Sequence, residues 1–201
     1  WAKSEAVLIL ANSNRAQKAV QALNRVMFKR LSQILNDFPE APKGRTWIIL
    51  DELAMAGRLE GLDELLAKGR SKGVSVLIAF QNLSKLQDVY GEKVADAITG
   101  EAANKAVLYL DSPVTAQWAE RTFGMEELSQ TDFSKTDSQG PQGNSTSYTT
   151  SKKEVVKPIV MGSDLSAISP VDHRAGTGIT GYFLTPGIGP YKCTVELDEI
   201  T

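Results

Sequence analysis

The residues with the strongest chemical signature are Asp51 and Glu52, adjacent carboxylates that close the apolar run Trp47-Ile48-Ile49-Leu50 in RTWIILDELAMAG, residues 45–57. An apolar strand ending in Asp-Glu matches the hhhhDE form of a Walker B element. Mg²⁺ prefers oxygen ligands and keeps several waters, so a carboxylate at a strand end can hold it through its water shell. The next carboxylate can polarise the water that attacks a γ-phosphate. On that chemistry Asp51 serves the metal and Glu52 is the catalytic base. A strand that exits to solvent through two acidic residues is the competing account.

Gln81 ends a second apolar run, VSVLIAFQ. Parallel strands of one sheet bring their carboxyl ends to a shared edge, where open α/β sheets bind ligands. A glutamine there can hydrogen-bond a γ-phosphate or the attacking water. Arg70 and Lys72, in AKGRSKG, close the helical segment between the two strands, which puts them near the opposite edge within one subunit. They suit a helix end favoured by its dipole. They also suit the nucleotide of a neighbouring subunit, where an arginine stabilises charge on a transferring phosphoryl group.

The elements that must position these residues follow from hydropathy. AVLILAN (6–12) reads as a buried strand. Val20, Leu23, Met27, Leu31 and Ile34 recur at helical spacing over the next segment. After the turn at Pro42 and Gly44 come the 46–52 strand and a helix over GRLEGLDELLAKGRSKG. The VSVLIAFQ strand and a helical stretch broken near Gly91 follow. KAVLYL is the next strand, and Ser112-Pro113 caps a helix ending at Phe123. Strands alternating with helices, and reading as continuous Val/Ile/Leu runs, predict a parallel sheet covered on both faces, over 1–128. Residues 129–153 are rich in Ser, Thr, Gln and Gly and predict a mobile loop. Residues 154–201 predict short closing β segments of the same domain.

The whole chain has 201 residues, 42% hydrophobic and 23% charged, with net charge −2. That bounds it to a globular domain of moderate size and excludes a polycation built to coat nucleic acid. A single cysteine, Cys193, excludes an internal disulfide and fits a reducing compartment. No apolar run approaches the roughly 20 residues of a membrane span. The first residue is Trp, as expected of a fragment.

The run WIILDELAMAGRLEGLDELLAKGRSKGVSVLIAFQNLSKLQDVYG, with AQWAERTFG downstream, resembles the nucleotide-binding core of type IV secretion coupling proteins, the TraD/TraG family of conjugative DNA-translocating ATPases. The match keeps register through the Asp-Glu pair, the leucine-rich helix, Gly-Arg-x-x-Gly, the buried strand into Gln, and Leu-x-x-x-Tyr-Gly. The resemblance implies an α/β, RecA-like P-loop NTPase core that uses ATP and Mg²⁺ and assembles as a homo-hexamer around DNA, single-stranded or double-stranded. Asp51 and Glu52 would be its Walker B pair, Gln81 would read nucleotide state, and Arg70 would act in trans as an arginine finger. Relaxase and secretion-channel proteins would be partners. The parent would sit at the cytoplasmic face of the inner membrane, anchored by a segment outside this sequence.

The sequence departs from that pattern in one respect. No G-x-x-x-x-G-K-[ST] occurs in it, so the core is expected to be partial, beginning after the phosphate-binding loop, and the isolated chain is expected not to hydrolyse ATP. A non-catalytic fragment that keeps the fold, and a related DNA translocase or helicase motor, are the alternatives. From Ser13 to Arg45 seven basic residues face two acidic ones; Lys18, Arg25 and Lys29 share a stripe that is either solvated or set against DNA phosphate or another subunit. Trp118 and Phe123 are expected in the core, and His173 in a polar turn without metal.

Overall fold

Two short runs rich in β-branched residues, Thr46–Leu50 and Val74–Ile78, form strands β1 and β2. The computed structural model describes residues 6–11, 16–40, 45–140, 143–171 and 177–196. In it β1 and β2 run parallel, in register from Thr46↔Val74 to Leu50↔Ile78. The chain divides into two units, Trp1–Ala103 and Asn104–Thr201, a boundary well before residue 128.

In the first unit, helix α1 (Gln17–Asn36) precedes β1, and a 3₁₀ turn (Leu53–Ala56) follows it. The expected helix over 57–73 is shorter. Gly57 and Gly61 have positive φ, and only Leu62–Lys68 forms α2, continued by a 3₁₀ turn at Gly69–Lys72. Helices α3 (Leu83–Tyr90) and α4 (Glu92–Glu101) flank Gly91, at φ 81°, where the sequence predicts the break. The core holds Phe28, Leu35, Ile48, Leu53, Leu62, Leu65, Leu83, Leu86 and Ile98.

Helix α1 turns a different face inward from the one its larger apolar residues mark. Phe28, Ser32 and Leu35 are buried, whereas Leu23 and Met27 are exposed. Ser32 faces Gly61 so closely that a Cβ on Gly61 would lie 2.6 Å from its Oγ. The small pair, rather than the leucine stripe, sets the contact. The 6–11 segment is not a buried strand: it carries no strand pairing, and Val7 and Ile9 are exposed. Nor are both faces of the parallel pair covered, since Trp47 and Ile49 are 63% and 66% exposed while Ile48 is buried.

In the second unit, β3 (Lys105–Val107) pairs antiparallel with β6 (Ile179–Thr185), not with the parallel strands. Strand β7 (Gly189–Val195) completes an antiparallel sheet in the order β3-β6-β7. Helix α5 (Pro113–Phe123) starts as expected, with the Ser112 hydroxyl accepting from the Thr115 N–H at 3.4 Å. Val107, Ala119, Phe123, Val160, Leu165 and Ile168 form the core, with Trp118 packed against it. A five-residue helix, α6 (Gly162–Ser166), interrupts the expected β run, started by Asp164, whose carboxylate accepts from the Met161 N–H at 3.0 Å.

The 129–153 stretch is not an irregular loop. It forms most of an antiparallel hairpin, β4 (Met125–Gly140) with β5 (Gly143–Pro158). Alternating Thr, Tyr and Phe suit a two-stranded ladder, whose backbone bonds need no large apolar residues. His173 lies outside the described residues.

Candidate functional site

Backbone pairing continues past the ends of β1 and β2. The Ala79 N–H donates to the Leu50 carbonyl at 2.8 Å, and the Leu53 N–H donates to the Ala79 carbonyl at 3.0 Å. These bonds clamp residues 50–53 against 79, and fully buried Leu53 anchors them. Glu52 and Gln81 therefore meet on one edge. The Gln81 N–H donates to Glu52 Oε2 at 3.2 Å. The other oxygen, Oε1, is buried and has no hydrogen-bond partner among the described residues.

A buried carboxylate oxygen without a donor is costly, and native structures rarely leave one so. Here one oxygen is pinned by a backbone N–H and its neighbour is left to accept from something else. That is the arrangement a base needs to take a hydrogen bond from water at a fixed position.

Asp51 is exposed at the same edge, and so is the side chain of Gln81. What Gln81 is seen to do is performed by its backbone, which orients Glu52. Arg70 is not brought to this group. It is exposed on the turn that feeds the amino end of β2, and five residues at about 3.3 Å each separate the two edges by roughly 16 Å.

Tyr90 holds the chain that leaves the acidic pair. Its hydroxyl accepts from the Leu59 N–H at 3.1 Å and donates to the Gly57 carbonyl at 3.3 Å. The Arg58 guanidinium donates to the Tyr90 carbonyl at 3.4 Å. Burial raises the Tyr90 pKa, partly offset by the Leu59 N–H and the Arg58 charge. Spacing gives no sign of this role, because a tyrosine before a helix-ending glycine reads equally well as core.

The basic stripe of α1 is partly satisfied within the unit. Lys29 pairs with Glu60 at 2.5 Å, and that hydrogen bond, with the lysine charge, lowers the Glu60 pKa. Arg25 lies beside Gly57, its Nε 3.8 Å from where a Cβ would project. Among the described residues no group of three or more His, Cys, Asp or Glu is placed to hold a metal. A cation here would therefore rely on one or two carboxylates and its own waters, which is how Mg²⁺ is usually held.

The model of the type IV secretion-system coupling protein DNA-binding domain matches residues 1–180. The chain belongs to this family. Solved structures agree on the coupling-protein fold. The unbound monoclinic form of the bacterial conjugative coupling protein TrwBdeltaN70 is 25% identical, with a TM-score of 0.71. The plasmid coupling protein TrwB with a non-hydrolysable ATP analogue is 22% identical at 0.70, and its complex with ADP and Mg²⁺ is 23% identical at 0.64. Each match covers 91% of this chain and 37–38% of the solved one. No curated protein matches the sequence. The coupling-protein chain is thus a partial RecA-like P-loop NTPase core of α/β class, and it spans less than two fifths of the structures it matches.

Proposed function

We propose that this chain is the Walker B half of an ATP-driven motor that moves relaxase-bound DNA toward a type IV secretion channel in conjugation. The observation that carries the reading is the Glu52 carboxylate, held at Oε2 by the Gln81 N–H and left without a partner at buried Oε1. That orphaned acceptor, beside exposed Asp51, fits Mg²⁺ and a triphosphate.

Bound Mg·ATP would supply the phosphoryl group that water attacks. Glu52 takes the proton of that water at Oε1. The Gln81 N–H keeps the carboxylate aimed, and the Gln81 side chain is free to hydrogen-bond the water or the terminal phosphate. Asp51 would hold the metal through its water shell. Arg70, too distant within one chain, serves the site of a neighbouring copy in a homo-hexamer. Relaxase and channel proteins are the partners, and the parent works at the cytoplasmic face of the inner membrane. Among the described residues no helix is long and apolar enough to cross a bilayer.

A second reading, a chain that keeps the fold without hydrolysing ATP, is favoured by the absence of G-x-x-x-x-G-K-[ST] from the sequence. The complete coupling protein decides between them. The motor reading expects DNA-stimulated phosphate release, with Asp51→Asn raising the Mg²⁺ concentration needed for half-maximal rate. No turnover, or an Mg²⁺ requirement untouched by Asp51→Asn, would overturn it.

A further inference from the structure

Helix α1 is tied to the chain that leaves the acidic pair at three successive turns. The Gln21 side-chain amide donates to the Met55 carbonyl at 2.7 Å. One turn on, the Arg25 guanidinium lies beside Gly57, its Cζ 3.9 Å from where a Cβ would project. One turn further, the Lys29 ammonium pairs with the Glu60 carboxylate. Residues four apart share a helix face, so Gln21, Arg25 and Lys29 form one stripe, and residues 55–60 run along it in the same order. A stripe that served only to meet solvent has no reason to keep that register. Tyr90 bonds to residues 57 and 59, beyond the 3₁₀ turn, whereas Gln21 reaches the turn itself. That turn carries Glu52, because the Met55 N–H donates to the Glu52 carbonyl at 3.0 Å. Met55 is thus held at its carbonyl by Gln21 and holds Glu52 through its amide.

We propose that Gln21 is a positioning residue for Glu52. Through Met55 it sets the backbone from which the carboxylate reaches the Gln81 N–H, and Arg25 and Lys29 keep helix and segment in register. The assignment deepens the motor reading above and rests on it for its catalytic consequence. The bond to be protected is a long one, 3.2 Å from the Gln81 nitrogen to Glu52 Oε2. A small rotation of the Glu52 backbone breaks it and lets Oε1 leave the place where an attacking water must be met. Misplacing a reacting group by about 1 Å, even through a change away from the chemistry, can cost about a hundredfold in rate. Gln21 touches neither water nor nucleotide, so its effect falls on the rate of the chemical step and not on binding.

The test reads the bond first and its consequence second. Amide exchange by NMR in the 201-residue chain compares the Gln81 N–H, which meets Glu52, with the Ala79 N–H, which meets the Leu50 carbonyl. Gln21→Leu keeps the helix propensity but has no donor. It should speed exchange at Gln81 about tenfold while leaving Ala79 and the melting temperature as in the wild type. Gln21→Lys, which restores a donor, should return Gln81 to the wild-type rate. In the complete coupling protein Gln21→Leu should lower kcat about tenfold with KM for ATP unchanged, and Gln21→Lys should recover it. A purely structural role predicts instead a lower melting temperature, equal acceleration at both amides and wild-type kcat. Unchanged exchange at Gln81, equal acceleration at Ala79, wild-type kcat in Gln21→Leu, or no rescue by lysine would each overturn the assignment. If the complete wild-type protein hydrolyses no ATP, the motor reading fails, and the exchange rates alone decide whether Gln21 holds Glu52.

Discussion

Replacing Tyr90 with Phe isolates the hydroxyl that ties residues 57–59 behind the acidic pair. The ring remains, and the buried position (4% exposed) is refilled by the same carbon atoms. What is lost is the acceptor for the Leu59 N–H and the donor to the Gly57 carbonyl. Leu59 is itself buried, so its N–H is stranded at a cost of about 1–3 kcal/mol. Half-buried Gly57 can recover a water and adds little, so the total is near 2 kcal/mol. With a urea slope of about 2 kcal/mol/M, the unfolding midpoint falls by about 1 M.

The effect also depends on pH. Burial raises the Tyr90 pKa above the ordinary tyrosine value of 10.0, so on raising the pH the unfolded chain ionises before the folded one. The stability from the neutral phenol is complete below about 10 and is lost as pH climbs through the folded-state value. The gap between wild type and Tyr90→Phe should therefore shrink above about pH 10, while the other tyrosines and lysines act equally on both proteins. Urea titrations followed by circular dichroism near neutral pH and at rising alkaline pH measure this. A midpoint unchanged by the substitution, or a gap constant through the alkaline range, would refute the clamp.

Gly61→Ala forces a side chain onto φ 87° and within 2.6 Å of Ser32 Oγ. It should cost about 2 kcal/mol or more, with adding Ser32→Gly recovering only part, as read from urea midpoints. Arg70→Ala and Glu52→Gln should each abolish ATP hydrolysis in the complete protein, yet a mixture of the two should regain activity at interfaces that pair an intact Arg70 with an intact Glu52. Silence in the mixture would place Arg70 outside the neighbouring site.

The parallel pair was readable because β1 and β2 are largely apolar runs, and the helical crossover between them requires parallel direction. The convergence of Glu52 with Gln81 followed from the same topology. The agent was less legible: a backbone N–H carries no side-chain signature, so the Gln81 amide could not be seen behind its side chain. The inward face of α1 is hidden in the sequence because Leu23, Met27 and their apolar neighbours outweigh Ser32 in hydropathy, whereas fit against Gly61 decides the contact. KAVLYL looks like another parallel strand because its apolar pattern does not specify a partner, and β6 lies more than seventy residues on. The hairpin was hidden by composition, since a Ser/Thr-rich ladder and a solvated loop draw on similar residues.

The account depends on Glu52 acting as the base on the edge it shares with Gln81. Its most direct test is single-turnover hydrolysis by the complete coupling protein bearing Glu52→Gln, with nucleotide affinity measured in parallel. The amide keeps the shape and can still accept from the Gln81 N–H, but it cannot take a proton from water. The account predicts near-normal ATP binding and a hydrolysis rate lowered at least about a hundredfold. Hydrolysis close to the wild-type rate would contradict it.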